Sequence, residues 1–216
     1  MPKREIKVYR DLMGANDEWA GRTRRLLAEK GLLMVNLIGS PGGGKTALLE
    51  KTIPLLPSGT RAAVLEGDVE TTRDAERLAV LDILVSQLLS GGSCHLEAKL
   101  VHHALLDLPL DELDIVIVEN VGNLVCPAEF DIGEAAKVAV LSVTEGEDKP
   151  IKYPLLFHEA KAVVLTKCDL LPHLTFDLEA SLRFIRETNP SLPVFQTSAA
   201  TGEGLESWLN WLLSFK

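Results

Sequence analysis

No apolar stretch of this chain approaches the roughly 18 to 20 residues that a membrane span requires, so a membrane-embedded role is not expected. Positive charge is scarce as well. Against 31 Asp and Glu stand 22 Lys and Arg, a formal net charge of -9, and a generic nucleic-acid binder would need a basic footprint instead. An acidic chain favours cations, or a small anion cradled by specific groups. Cysteine numbers three, too few and too odd for a disulfide scaffold; in a reducing compartment such residues are core fillers, ligands or reactive thiols. The opening MPKREIKVYR has no apolar signal-peptide core, and the expected location is the cytoplasm. There is no internal repeat, low-complexity tract or Pro/Gly/Ser-rich linker, so the 216 residues are read as one domain.

What is present is alternation. Short apolar runs of strand length occur at 32–38, 61–66, 82–89, 114–119, 137–143, 162–166 and 193–197. Several are continuous Val/Ile/Leu runs, as expected for strands covered on both faces. Helical segments are expected between them at about 44–56, 72–80, 95–107, 177–188 and 204–214, and an N-terminal helical segment within residues 1–31 stops at Gly31. The fold class is therefore α/β, a mostly parallel sheet with helices on both faces over residues 32–216, with ligands at the carboxyl ends of the strands.

Directly after the first strand stands GSPGGGKT, residues 39–46, which satisfies G-x-x-x-x-G-K-[ST] between a strand and a helix. The loop Gly39, Ser40, Pro41, Gly42, Gly43, Gly44 with the following Lys45, Thr46 and Ala47 is the candidate phosphate cradle. Its glycines let backbone N–H groups turn inward, Lys45 reaches the outer phosphates and Thr46 offers a hydroxyl to magnesium. Magnesium also needs carboxylates at neighbouring strand ends, and Asp68 and Glu119 supply them. Glu119-x-x-Gly122 resembles the D-x-x-G element of GTPases with glutamate for aspartate, and Asp74 is placed to orient water near a γ-phosphate.

The base is read from Thr166-Lys167-Cys168-Asp169, close to the N-K-x-D signature of guanine-binding proteins, with threonine replacing asparagine. Asp169 would accept from guanine N1 and N2, Lys167 would cover the base with its stem, and the Ser198-Ala199 pair resembles the loop that meets the guanine carbonyl. No residue stands out as a strong general base, which predicts slow hydrolysis of GTP to GDP.

The remaining motif is sulfur and imidazole. GGSCHLEAKLVHHALLD carries Cys94 and His95, with His102 and His103 on following helical turns, of which only one can face the side of Cys94. Cys126 falls seven residues after Glu119, inside the expected γ-phosphate-sensing loop. Two cysteines and a histidine suit zinc, nickel or copper(I) rather than magnesium or calcium. One chain supplies three strong ligands, so a metal completed at the two-fold interface of a dimer is expected. A free cysteine is also among the most buried residue types, and Cys168 is read as structural.

Taken in order, NLIGSPGGGKT, EGD, GGSCHLEA, ENVGNLVCP, EGEDKPIKYP, LTKCDLLP and TSAATGEGLESW resemble the hydrogenase-maturation nickel-insertion GTPases called HypB, over nearly the whole chain. The resemblance implies a P-loop metallochaperone that dimerises with GTP and hydrolyses it slowly. It further implies nickel or zinc held between subunits by Cys94, His95 and Cys126, and delivery to the large subunit of [NiFe]-hydrogenase with a small zinc-containing partner, HypA. Lys149 would touch guanine from the neighbouring subunit. The histidine-rich or cysteine-bearing N-terminal tracts of some relatives do not occur in MPKREIKVYRDLMGAND, so nickel storage is not expected. The urease-type accessory GTPase is the near alternative, disfavoured because Cys94-His95 is contiguous and Cys126-Pro127 separate, without that protein's Cys-Pro-His arrangement. A P-loop kinase and a non-catalytic metal-bridged dimer are the other two.

Overall fold

Seven strands enter one all-parallel sheet in the computed structural model, in the order β3 (Leu84–Leu89), β2 (Ala62–Asp68), β4 (Ile115–Glu119), β1 (Leu33–Gly39), β5 (Ala136–Ser142), β6 (Ala162–Thr166) and β7 (Val194–Gln196). The structure describes residues 2–68, 73–81 and 83–215, with side chains from Gly14 onward and without that of Arg73. Two expected boundaries, a helix start at Thr72 and a strand start at Asp82, lie outside the described residues, as do both terminal residues of the chain. In chain order the elements are α1 Pro2–Lys30, β1 Leu33–Gly39, α2 Lys45–Thr52, β2 Ala62–Asp68, α3 Arg73–Ala79, β3 Leu84–Leu89, α4 Ala98–Leu106 and β4 Ile115–Glu119. They continue as α5 Cys126–Glu129, β5 Ala136–Ser142, α6 Lys149–Lys152, α7 Pro154–Glu159, β6 Ala162–Thr166, α8 Leu178–Thr188, β7 Val194–Gln196 and α9 Leu205–Leu213.

Alternate residues of β1 feed opposite faces of the sheet, which is why its run is apolar on both faces except at the buried Asn36. Leu33, Val35 and Leu37 pack with Leu48 and Leu49 of α2 and Trp208 of α9, whereas Met34 faces Leu27 of α1 and Val101 of α4. Gly31 at φ 64 ends α1, a left-handed stop that a side chain would oppose. All strands being parallel, every carboxyl end points one way, and the loops after β1, β2, β4 and β6 gather on that edge.

Two expectations are corrected here. Helix α4 begins at Ala98, not residue 95, so Cys94 and His95 lie in the turn before it. The backbone N–H groups of Leu96 and Ala98 are taken by side chains, Asn120 Oδ1 at 3.3 Å and Asn16 Oδ1 at 2.9 Å, which fixes an extended entry instead of another helical turn. Helices α5, α6 and α7 were not anticipated; each is six residues or shorter with proline in its first turn, at Pro127, Pro150 and Pro154. A proline at N1 or N2 was the available signal, too weak without a periodic apolar stripe.

Candidate nucleotide and metal site

The loop 39–46 wraps a recess of about 450 Å³ lined also by Glu66, Asp68, Asp74, Glu119 and Lys167. Lys45 is buried there, its Nζ donating to the carbonyls of Gly39 and Ser40 at 3.3 Å each. Burial pulls its pKa down, with Glu119 foremost among the carboxylates that oppose the shift. Thr46 Oγ1 donates to Glu119 Oε1 at 2.8 Å, while Glu119 Oε2 is buried with no hydrogen-bond partner in the protein. A buried carboxylate oxygen without a partner is costly unless something binds it. Thr46, Glu119 and the nearby Asp68 thus offer hard oxygen donors of the kind magnesium prefers.

Sequence reading missed Glu66. It pairs in register with Glu119 across β2 and β4, is only 2% exposed, and leaves Oε2 unpartnered. Burial, then the proximity of Glu119, raise its pKa to about 8; burial likewise raises that of Glu119 to about 7, against Lys45 and the Thr46 hydrogen bond. Its position second before Asp68 in LEGD is visible in the sequence, but only strand pairing shows that it faces Glu119. Arg77 was missed too: it lines the recess, held by Glu50 at 3.0 and 2.8 Å and by Asp74 at 2.8 Å. Asp74 is accordingly tethered at the recess with one oxygen already engaged.

The threonine that replaces asparagine in the base signature has its own task. Thr166 Oγ1 donates to Gly43 O at 2.6 Å and sits against Gly44, whose Cβ, were there one, would meet it at 3.1 Å. Gly44 also has φ +92, so both space and backbone require glycine. Lys167 adopts φ 61, the one positive value among described non-glycine residues, and its Nζ reaches Gly42 O at 2.8 Å. Ser198 Oγ donates to Asp169 Oδ1 at 2.5 Å and accepts from the N–H groups of Ala200 and Thr201. Lys167, Ala199, Thr166 and Ala47 line one narrow recess continuous with the loop. Lys149 lines neither recess; it pairs with Glu145 at 3.5 Å on its own chain. Cys168 Sγ donates to Leu165 O at 3.3 Å and packs against the core beside β6.

The soft donors converge. Cys94, His95 and Cys126 each place one ligand atom within 4.8 Å of the others, the single such cluster among the described residues. Cys94 Sγ and Cys126 Sγ are 2.8 Å apart and both thiols are free; Cys94 Sγ lies 3.8 Å from His95 Nδ1. The bond to Cys126 holds the Cys94 thiol above its usual pKa, and burial keeps His95 below its own, so imidazole is neutral near pH 7. A metal must displace the thiol proton but not one from His95. His95 Nε2 is buried without a partner, and its ring stacks on Phe130 at 3.8 Å. Neither His102 nor His103 joins this cluster: both rings turn to Trp19 of α1, and His102 Nδ1 meets Thr23 Oγ1 at 3.1 Å. Helix α4 starts at Ala98, so Cys94 and His95 precede it and share no helical face with His102 or His103.

The family model of the CobW/HypB/UreG nucleotide-binding domain matches residues 33–196. A hydrogenase maturation factor HypB of Azotobacter vinelandii is 48% identical over 209 residues, spanning 97% of this chain and 69% of that protein. This chain belongs to the HypB family of hydrogenase maturation factors. Among solved structures, HypB from Helicobacter pylori in complex with nickel is similar with a TM-score of 0.88 at 36% identity, covering 93% of this chain and 94% of that one. HypB from Archaeoglobus fulgidus gives 0.87 at 34%, covering 94% and 98%. The HypB relationship read from the motifs and the P-loop NTPase fold therefore hold. No described helix is long and apolar enough to cross a membrane.

In this HypB-family chain the two clusters share one segment. Glu119 ends β4 in the nucleotide recess, Gly122 follows, and Cys126 opens α5 beside Cys94. Gly122 is required for space rather than for an unusual φ, since a Cβ would stand 2.8 Å from Pro41 Cγ and 2.9 Å from Pro41 N. The phosphate loop and the segment leading to the sulfur are in direct contact there.

Proposed function

We propose that this chain is a GTP-hydrolysing metallochaperone that inserts nickel during [NiFe]-hydrogenase maturation, coupling nucleotide state and dimerisation to metal binding and release. The observation that carries the proposal is the convergence of Cys94, His95 and Cys126, with Cys126 on the segment that begins at Glu119. The nickel complex of a 36% identical relative supports nickel as the cargo, and two thiolates with an imidazole suit it, as they suit zinc.

In this reading the amides of residues 39–46 and Lys45 hold the β- and γ-phosphates and stabilise charge as the terminal phosphoryl leaves. Ser40, Pro41, Gly42, Gly43 and Ala47 shape the cradle. Magnesium, held by Thr46, Asp68 and Glu119, would neutralise phosphate charge. Asp169, Lys167, Ser198 and Ala199 hold guanine, and Lys149 does so from the neighbouring subunit of the dimer. Asp74 orients water while one of its oxygens is held by Arg77, and turnover is slow. Loss of the γ-phosphate shifts the segment through Gly122 to Cys126, which loosens one of three donors. A HypA-like accessory protein and the hydrogenase large subunit are the proposed partners in transfer.

Equilibrium nickel titration with sizing, in GDP and in a non-hydrolysable GTP analogue, tests this on wild type and Cys126→Ala. Expected is a nucleotide-dependent nickel affinity and a larger dimer fraction with the analogue, and about 10-fold or greater weakening in the variant. Equal affinities in both nucleotides would remove the coupling. ATP competing as well as GTP would remove the guanine assignment.

A further inference from the structure

A tether at Cys126 explains how nucleotide state reaches one donor, but Cys94 and His95 stand on a different loop, after β3. The stretch Glu119-Asn120-Val121-Gly122-Asn123 grips that loop at two points. Asn123 Nδ2 donates to Cys94 O at 3.1 Å, and Asn120 Oδ1 accepts from Leu96 N at 3.3 Å. These are the backbone groups immediately before and after His95, so two side-chain amides of the segment bracket the imidazole.

The grip is built in, not incidental. Asn120 is 1% exposed and Asn36, in the middle of β1, is fully buried. Asn120 Nδ2 donates to Asn36 Oδ1 at 3.1 Å, and Asn36 Nδ2 donates to Glu134 Oε1 at 3.2 Å. Glu134 Oε2 accepts from Ile132 N at 2.8 Å, two residues beyond Phe130, the ring that stacks on His95. Buried amides cost stability unless their polar atoms are satisfied; Asn120 Oδ1 accepts from Val121 N at 2.9 Å as well as from Leu96 N, and its Nδ2 is anchored on Asn36. On the other side, Asn120 adjoins Glu119, which holds Thr46 of the phosphate loop. Asn123 Oδ1 meanwhile accepts from Val125 N at 2.9 Å, one residue before Cys126.

We infer that Asn120 and Asn123 are positioning residues that clamp the backbone on both sides of His95 to the Glu119–Cys126 segment, so that nucleotide state moves Cys94 and His95 together with Cys126. This rests on the coupling proposed above and deepens it: the whole donor set, not one sulfur, registers the γ-phosphate.

The test is the ratio of nickel dissociation constants with GDP and with the GTP analogue, measured on wild type, Asn120→Ala, Asn123→Ala and the double variant, following thiolate-to-nickel absorption. A merely structural role would change both constants alike and leave the ratio. Expected is a wild-type ratio within the 5- to 150-fold range of coupled sites, reduced about 3- to 10-fold in each variant and most in the double, with nucleotide affinity little altered in Asn123→Ala, whose side chain lies outside the nucleotide recess. Asn123 is only half-buried, unlike Asn120, so Asn123→Ala decides the matter if Asn120→Ala fails to fold. A wild-type ratio that both asparagine variants preserve overturns the clamp while leaving coupling through Cys126 intact. A wild-type ratio of one overturns the coupling itself, and the clamp with it.

Discussion

The nucleotide recess and the Cys94–His95–Cys126 cluster lie on the same edge of the sheet, yet they are made differently. The phosphate cradle is eight consecutive residues, 39–46, whose shape follows from glycine content and from a strand running into a helix. Most of its bonds are to backbone: Lys45 to two carbonyls, Thr166 to Gly43 O, Lys167 to Gly42 O. The cysteine–histidine cluster joins sulfurs 32 positions apart, and its approach depends on side-chain amides and one aromatic face. A backbone cradle is rigid and tolerant of its surroundings, whereas a cluster held by side chains from several loops can be opened by moving one of them. That contrast fits the roles proposed above, a cradle for an invariant phosphate chain and a metal site that releases its cargo.

Replacing Lys45 separates the two regions most sharply. Lys45→Ala is expected to weaken GTP binding or turnover by about 100-fold or more, while nickel binding in the absence of nucleotide stays near wild type. Labelled-nucleotide titration beside nickel titration checks both; parallel losses would mean that the regions are not separable. Gly122→Ala acts on their junction. Its methyl must displace Pro41 or the segment that carries Cys126, at a cost of about 1–3 kcal/mol in thermal unfolding, and phosphate release and nucleotide-dependent nickel affinity should fall together.

The smallest effect comes from the paired carboxyls. Glu66 and Glu119, with pKa values raised to about 8 and about 7, hold protons in the folded chain that the unfolded chain releases near their ordinary 4.5. The nucleotide-free, metal-free protein is therefore most favoured by these groups below about pH 4.5, and loses that contribution as pH rises through 7 to 8. Glu66→Gln should flatten the slope and leave the variant roughly 1–2 kcal/mol more stable than wild type at pH 8. Cys126→Ala, in the other region, should leave the slope unchanged. Denaturant unfolding at pH 5, 7 and 8 measures both.

The positions of all seven strands and of the helices after residues 44, 177 and 204 were legible because their apolar runs and stops are local. So were the P-loop, the Thr166–Asp169 signature and the three soft ligands, each recognisable by residue type. The start of α4 at Ala98 was not, since it is set by Asn16 and Asn120, far away in sequence. Glu66 escaped for the same reason: its importance comes from standing across from Glu119 on the adjacent strand.

By itself the sequence determined the fold class and the chemical kinds of ligand, because strand runs, glycine turns and donor atoms are properties of short segments. Which residues meet was decided by the parallel order of the sheet, which sets β4 between β1 and β2 and so delivers Glu119, Asn120 and Cys126 to the phosphate loop and the Cys94 turn at once. Strand order depends on how all the faces are buried together, and no single segment encodes it.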